Sequence, residues 1–411
     1  MPRALPALRR NLDVMPSPVR GRPGLLVRDP FRYAEDMLII PPPLVPFLRL
    51  FDGRHHEGDL GAALGEAGGG ASVEGVVRHL VDTLDRGFLE SEAFARRRDE
   101  RHRGFATAAR REPGHAGAAY PEDPEALREL LAGWLASVPA PASAGTTSAV
   151  AAPHVSPDGG WRSYAAAYRA LPPRAEGRVA VVLGTSHYGE PETFGLTRKP
   201  YTTPLGDTGT AADLVDRLAR DGGPAVRMED YCHAVEHSIE FQVLFLQQVW
   251  GRDVCVLPVL CGPFVEATDG DGLPEKDPGV ARFLDALGAL AAREGDRLLF
   301  VLGVDLAHVG RRYGQQEAVR AGKGPMLEVE RKDRERLDRV AAGDARGFWE
   351  LLREDGDPLH WCGASPLYAF LRAAAPVRGE VLGYEQWNID PGSVVSFAAL
   401  SFAKAAGEGE S

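Results

Sequence analysis

The chain is poor in the features that mark extracellular, membrane-spanning or nucleic-acid-binding proteins. Only four of its 411 residues are cysteine, namely Cys232, Cys255, Cys261 and Cys362. No CxxC pair and no dense disulfide framework is present, which predicts a reducing intracellular compartment. No apolar run approaches the roughly 18 residues that a membrane span needs. Met1 to Pro16 is broken by Pro2, Pro6, Arg9 and Arg10 and lacks the apolar stretch of a secretory signal. Acidic residues outnumber basic ones, 58 to 47, for a formal charge of −11. That balance excludes a dedicated nucleic-acid binder, which needs a basic surface to neutralise phosphates. No internal repeat is visible. The expectation is a soluble, cytoplasmic protein.

What is present is an ordinary globular composition. Hydrophobic residues make up 44 % and charged residues 26 % of a length sufficient for two or three domains. An Arg-rich stretch at 93–112 reads as a solvated helix or linker. Val138 to Val150, rich in Pro, Ala, Ser and Gly, reads as a flexible connection, and Asp269 to Gly279 as a surface loop. Before the first break, Leu25 to Val27 and Met37 to Ile40 read as strands, and Leu44 to Phe51 as an apolar helix start. Asp59 is placed to cap a helix through Leu64 that Gly68–Gly70 would end. Val73, Val76, Val77, Leu80, Val81 and Leu84 recur at helical spacing, and Phe88-Leu89 follows as a short wing.

Beyond the breaks, strand and helix alternate, which predicts an α/β fold with a mainly parallel sheet. Val179 to Leu183 and Leu298 to Leu302 are continuous apolar runs that suit strands covered on both faces. Val254 to Leu260 and Val394 to Phe402 are further strand candidates, with Ile239 to Trp250 and Leu367 to Ala375 as helices. Three histidines fall just past strand ends: His154 after Ala149 to Ala152, His187 after Leu183, and His308, with Asp305, after Leu302. Carboxyl ends of parallel strands share one edge, where ligand crevices form. Singly each histidine could be a loop residue, but jointly they mark a site. His55, His56, His79, His102 and His115 lack this placement and read as surface or structural.

Cys362 precedes a helix expected near Ser365, a position where free N–H groups favour a thiolate. Cys255 and Cys261, in or beside an apolar strand, read as inert. The sequence His233-Ala-Val-Glu236-His237 fits the H-x-x-E-H pattern of zinc peptidases. Tyr231 and Cys232 make a poor helix start, however, and the amphipathic helix is expected to begin near Ser238.

The motifs AAPHVSPDGG, VVLGTSHYGE, YTTPLGD, EHSIEFQVLFL, GVDLAHVG and WCGASPLYAFL occur in the order of the Memo family, also called AmmeMemoRadiSam system protein B. REPGHAGAAYPEDPEALRELL resembles that family's opening segment, so the resemblance spans 111 to about 403. It implies a three-layer α/β sandwich like class III extradiol dioxygenases, whose non-haem Fe(II) is held by two His and a carboxylate. Carried over residue by residue, His154 and His187 match the histidine ligands, and Cys362 matches the cysteine that replaces the carboxylate. His308 matches the acid/base histidine with Asp305 beside it, while His237 and Glu240 match residues lining the site. The implied cofactor is Fe(II) or Cu, the thiolate favouring softer metals. The family also implies radical SAM and AMMECR-type partner proteins. This chain departs from the pattern in Val155-Ser156-Pro157-Asp158 after His154, where Ala-Gly-Tyr is typical, and in Thr185 where Pro is usual.

Residues 24–92, through FDG and RGFLE, resemble PqqD-like winged helices, which often hold a peptide or partner. The expected organisation is a winged-helix domain at 1–92, an Arg-rich linker at 93–110 and a Memo-like domain at 111–411. The expected function is a metal-dependent redox enzyme acting on a small molecule or modified peptide. A non-catalytic peptide-binding or adaptor role for the same cleft is the alternative, and hydrolysis at a zinc site a third.

Overall fold

The computed structural model describes every residue except 1–2, 18, 68–72, 143–144, 175, 271 and 406–411. Two compact units divide the chain, Met1–Thr107 and Ala108–Ser411.

In the first unit, β1 (Asp13–Pro16), β2 (Leu25–Arg28) and β3 (Leu38–Ile40) form an antiparallel sheet. A 3₁₀ segment at Pro42–Leu50 stands where an α-helix start was expected. It is followed by α1 (Glu57–Glu66), α2 (Val73–Leu84) and α3 (Glu92–Thr107). Asp59 works from inside α1, its carboxylate accepting from His56 N at 2.8 Å. Gly68–Gly70, expected to end that helix, lies outside the described residues. Val77, Leu80, Val81 and Leu84 form the buried stripe of α2 and pack with Val27, Ile40 and Leu60. Of the two readings of the Arg-rich stretch, helix or linker, the part up to Thr107 forms the helix α3, which buries Phe94 and Phe105. The strands precede the helices, and Phe88-Leu89 forms no wing hairpin, Leu89 making an isolated bridge to Leu8. A buried Arg9 donates to both oxygens of Asp29, at 2.8 and 3.0 Å, and lies 4.4 Å over the Phe94 ring.

In the second unit, Asp123 caps α4 (Pro124–Ala136) by accepting from Ala126 N at 2.8 Å. There follow β4 (Ala149–Ala152), α5 (Pro157–Arg169), β5 (Val179–Thr185), β6 (Phe194–Leu196), and the two-residue β7 (Thr202–Thr203), β8 (Gly206–Asp207) and β9 (Gly209–Thr210). Next are α6 (Ala212–Gly222), β10 (Val226–Met228), the single turn α7 (Cys232–Val235), α8 (Glu240–Trp250) and β11 (Cys255–Cys261). The chain continues through α9 (Val265–Asp269), α10 (Pro278–Glu294), β12 (Leu298–Gly303), β13 (His308–Gly310), α11 (Pro325–Ala341) and α12 (Ala345–Arg353). It closes with α13 (Ala364–Ala373), β14 (Val377–Asp390) and β15 (Ser393–Lys404).

Ten strands form one sheet in the order β10-β6-β11-β5-β12-β4-β15-β13, with β9 beside β11 and β14 beside β15. The centre, β11-β5-β12-β4, is parallel. Towards the edges β6 runs antiparallel to β11 but parallel to β10, and β15 runs antiparallel to β4, β13 and β14, so the sheet is mixed with a parallel core. Val179, Val181 and Leu183 join the same apolar cluster as Leu257, Val259, Phe300 and Leu302. The intervening Ala180, Val182, Val256 and Val301 are buried too, on the opposite face. Helices α6, α10, α12 and α13 form one contiguous group, and α4, α5 and α8 another. Burial on both faces explains why these strands read as unbroken apolar runs. Among the described residues no helix is long and apolar enough to cross a membrane.

Candidate metal centre

Three adjacent parallel strands, β5, β12 and β4, deliver their carboxyl ends to one edge, and the predicted residues sit there. His154 is buried two residues past β4, and His187 follows β5 by two and opens to solvent. The third imidazole at this point is His237, half-buried in the segment between α7 and α8. One donor atom from each of His154, His187 and His237 lies within 4.8 Å of the others. The His187 and His237 rings stack at 5.0 Å, and His154 stands edge-on to both.

Two glycines make this convergence possible. A Cβ on Gly303 would come within 2.2 Å of Ser238 O, and one on Gly184 within 2.5 Å of Ser238 Oγ. Glycine at both strand ends lets the His237-Ser238 segment lie directly on the sheet edge.

Each of two rings has its far nitrogen fixed. His154 Nδ1 lies 2.9 Å from Gly303 O, so it donates there and leaves Nε2 as the free lone pair. His187 Nδ1 lies 3.0 Å from Glu236 Oε2, while Glu236 Oε1 accepts from the backbone N–H of His187 and, at 3.3 Å, of Tyr188. Glu236 is buried and reaches to 3.9 Å from His237 Nδ1. A histidine whose outer nitrogen donates to a carbonyl or carboxylate is the arrangement of metal-ligating imidazoles. Burial pushes His154 down to about 3, with the neighbouring His187 adding to the shift. His237 is held well below the usual histidine range by burial and then by His187 and His154. Neutral imidazoles are the ligating form, so the donor set fits a divalent metal.

Cys362 lies at the same point, its Sγ 3.2 Å from His154 Nε2 and 3.8 Å from Asp305 O. It directly precedes Gly363, the N-cap of α13, as expected. The expected lowering of its pKa is not found. Burial, followed by the charge of Asp305, pushes the thiol well up, which outweighs the helix end.

Asp305 and His308 are also brought to this edge, but not as a hydrogen-bonded dyad. Asp305 Oδ1 accepts from the backbone N–H of His154 at 2.9 Å and of Val155 at 3.2 Å, and Oδ2 lies 3.5 Å from His154 Nε2. His308 starts β13, is not in a helical turn, and directs Nδ1 to Leu306 O at 3.0 Å. Asp305 therefore braces the end of β4 and does not orient His308. Burial raises Asp305 to about 6 and lowers His308 to about 4, Asp305 opposing the latter shift.

Glu240, expected to line the site, turns its carboxylate to the opening segment. It accepts from Gly114 N and His115 N at 3.0 Å and from Tyr120 Oη, and forms a buried ion pair with Arg111. Arg111, buried, also donates from Nε to His233 O and from Nη2 to Glu236 O, both at 2.8 Å. It thus grips the backbone that presents Glu236 and His237. His115, read from the sequence as surface or structural, lies 3.1 Å from Glu240 and packs 5.6 Å from the His237 ring. The zinc-peptidase pattern does not form. His233 is bonded to Tyr201 Oη and Gly195 O, and the backbone turns extended at Glu236. Sequence reasoning missed Glu236 as a brace, and placed His237 in the lining of the site but not among the metal-holding donors. Both stood in that H-x-x-E-H string, correct in residue types but wrong for a single helix face. A pocket of about 330 Å³ opens beside His187 and Cys362.

A sequence model described as Memo-like protein matches residues 111–401. A MEMO1 family protein of Aquifex aeolicus is 26 % identical over 382 residues, covering 92 % of this chain and 95 % of that protein. A MEMO1 family protein of Methanopyrus kandleri is 27 % identical over 310 residues, covering 72 % and 99 %. The Aquifex match covers more of the chain than Ala108–Ser411 alone could supply, so the similarity reaches into the first unit. Among solved structures, an uncharacterized protein of Escherichia coli K12 aligns at a TM-score of 0.34 and 14 % identity, over 55 % of this chain and 86 % of that one.

Proposed function

This chain belongs to the Memo family, and on that premise we propose that its histidine cluster is a mononuclear metal centre of a redox enzyme acting on a small molecule or modified peptide. The observation that carries the reading is the pair of braced imidazoles, His154 on Gly303 O and His187 on Glu236, converging with His237. We assign His154, His187 and His237 as holders of iron or copper, with Cys362 as a fourth donor that favours the softer metal. When bound, the metal supplies a Lewis acid with positions for substrate. The rest falls to the chain. Glu236 and Gly303 fix ring orientation, Arg111 fixes the Glu236–His237 backbone, and Asp305 holds the end of β4. His308, neutral because buried and with Nδ1 on Leu306 O, takes a substrate proton at Nε2.

We extend the reading to a class III extradiol dioxygenase-like layering of the second unit and a PqqD-like, partner-holding role for the first. Radical SAM and AMMECR-type proteins are the partners this implies. Anaerobic purification with elemental analysis tests the centre. Near-stoichiometric iron or copper, lost in His154→Ala and His187→Ala, is expected. Metal-free protein that binds neither ion would favour a non-catalytic peptide-binding cleft.

A further inference from the structure

The helix α11 carries charged residues on the stripe that it buries. Asp333 and Arg336 stand there among Met326, Val329, Leu337 and Val340, and Asp333 has no exposed surface. An apolar residue would fill the same space without the cost of desolvating a carboxylate, so stability alone does not account for it. Every donor that reaches Asp333 is fixed in direction. Trp361 Nε1 can only donate, and lies 2.7 Å from Oδ1. Ser396 Oγ accepts from Ala307 N at 2.9 Å, which leaves its proton for Oδ2 at 2.6 Å. Tyr384 Oη accepts from Gln386 Nε2 at 2.9 Å and donates to Oδ2 at 2.8 Å. Gln386 is itself oriented by bonds from Nε2 to Met326 O and from Gly322 N to Oε1, both at 2.8 Å. Acceptors are needed on both sides, which a carboxylate supplies and an amide does not.

Two of these donors lead to the candidate site. Trp361 directly precedes Cys362, in a loop where Asp357 and His360 have φ of 48° and 51°. Non-glycine residues keep that conformation only where surrounding contacts over-determine it. Asp357 accepts from Trp361 N at 2.7 Å. Arg336, one turn after Asp333, faces Asp357 at 3.5 Å and stands 5.4 Å from the Trp361 ring. Ser396 leads the other way, to Ala307, which directly precedes His308. Its backbone O and N also join Leu306 N and Ala307 O, both at 2.9 Å. The two segments are laced to each other as well, His308 N donating to Leu359 O at 2.8 Å and Gly363 N to Asp305 O at 3.0 Å.

We propose that Asp333 is a positioning residue for this site, setting Cys362 through Trp361 and His308 through Ser396. One side chain thereby ties the thiol segment to the acid/base segment, and neither shifts without breaking a charge-assisted hydrogen bond. The assignment rests on the reading of Cys362 and His308 as parts of one site, and its test is read first without metal.

Full-length, metal-free protein is treated with iodoacetamide at pH 8, where Asp333 is ionised, and alkylation of each cysteine is followed by peptide mass spectrometry. Half-buried Cys255, on β11, serves as the reference. Trp361→Phe keeps an aromatic ring and removes the donor, and should raise the Cys362 rate about tenfold with Cys255 unchanged. Ser396→Ala should leave the Cys362 rate within about twofold and act on His308 instead. There, ¹⁵N imidazole spectra should show the Nδ1–H tautomer, held now by Leu306 O, giving way to a mixture. Asp333→Ala leaves Trp361 and Ser396 in place and should move both readouts, with no further change when Trp361→Phe is added. The two single-arm variants carry the test should Asp333→Ala not fold. In the Co(II) form, Trp361→Phe should also shift the thiolate-to-metal band and Ser396→Ala should not. A Cys362 rate in Trp361→Phe within about twofold of the parent, or an unchanged His308 tautomer in Ser396→Ala, would overturn the proposal. So would either variant moving Cys362, His308 and Cys255 together, as a general loosening does. A protein that binds no metal ends the metal reading and leaves rates and tautomers measurable, whereas failure of this pattern with metal bound ends only the role of Asp333.

Discussion

Replacing Glu236 by Gln isolates what the buried carboxylate contributes to the centre. The glutamine amide keeps nearly the same shape and one acceptor oxygen, which can remain under the backbone N–H groups of His187 and Tyr188. Its NH₂ group then faces His187 Nδ1, where the carboxylate Oε2 now lies at 3.0 Å. Two donors cannot face each other, so the imidazole must move its proton to Nε2 or swing away. Either change removes the lone pair that His187 presents to the cluster. Loss of such an outer partner typically weakens metal binding about 10–100-fold, or about 1.4–2.7 kcal/mol. The assay is competition for Co(II) or Fe(II) against a chromophoric chelator, with circular dichroism to confirm an unchanged fold. The ligand-field spectrum of the Co(II) form should shift as well, since ring orientation changes. An affinity within twofold of the parent, with the same spectrum, would refute the tautomer argument and leave Glu236 a packing residue.

Other perturbations separate the remaining roles. His308→Ala should retain metal but lower turnover about 10²–10⁴-fold; metal loss would recast His308 as a ligand. His237→Ala should reduce metal stoichiometry more than Cys362→Ser does, and the reverse order in elemental analysis would restore the two-His, one-Cys set. His360→Gly should raise stability by about 0.4–1 kcal/mol in urea unfolding, because glycine relieves a φ of 51°; a lower midpoint would mean the side chain stabilises the loop more than the strain costs. Metal-free protein should lose stability as pH falls from 6 to 5. His154, His233, His237 and His308 have folded pKa values below their unfolded ones, so the unfolded state takes up their protons first. Asp305 and Asp333, raised to about 6, act in the opposite sense by binding protons in the folded state. Asp357 and Glu192, also raised by burial, add to that opposition. The four histidines, almost fully charged when unfolded at this pH, nevertheless set the sign of the slope, and a flat or rising urea midpoint would contradict it.

Much of this was legible in the sequence, for reasons that differ by residue. Unbroken apolar runs gave away β5, β12 and β11 because those strands are buried on both faces. The edge hairpin strand β14 was not marked, since residues 377–390 are mostly half-buried and carry no clear period. His154 and His187 were found because strand ends have a fixed meaning in a parallel sheet. Glu236 and His237 were underweighted because their segment is neither strand nor helix, and only the two strand-end glycines allow it to reach the edge. His115 was set aside because nothing local reveals that Glu240, 125 residues away, holds it in place. The Asp305–His308 pairing failed because sequence spacing cannot say which backbone amides a carboxylate will meet. The Arg-rich stretch was ambiguous for want of apolar periodicity, and two phenylalanines decide it.

His154 and Cys362 meet across 208 positions of chain, and Arg111 reaches Glu236 across 125. No local fragment can therefore assemble the donors, unlike a zinc finger whose ligands sit within one short loop. Closure of so long a loop is a late event in folding. A metal that recognises this arrangement binds only the finished sheet, so its binding free energy goes wholly to the native state. Metal uptake during refolding would thus serve as a clock for completion of the second unit, and truncations that leave the sheet intact but remove residues 111–120 would stop it.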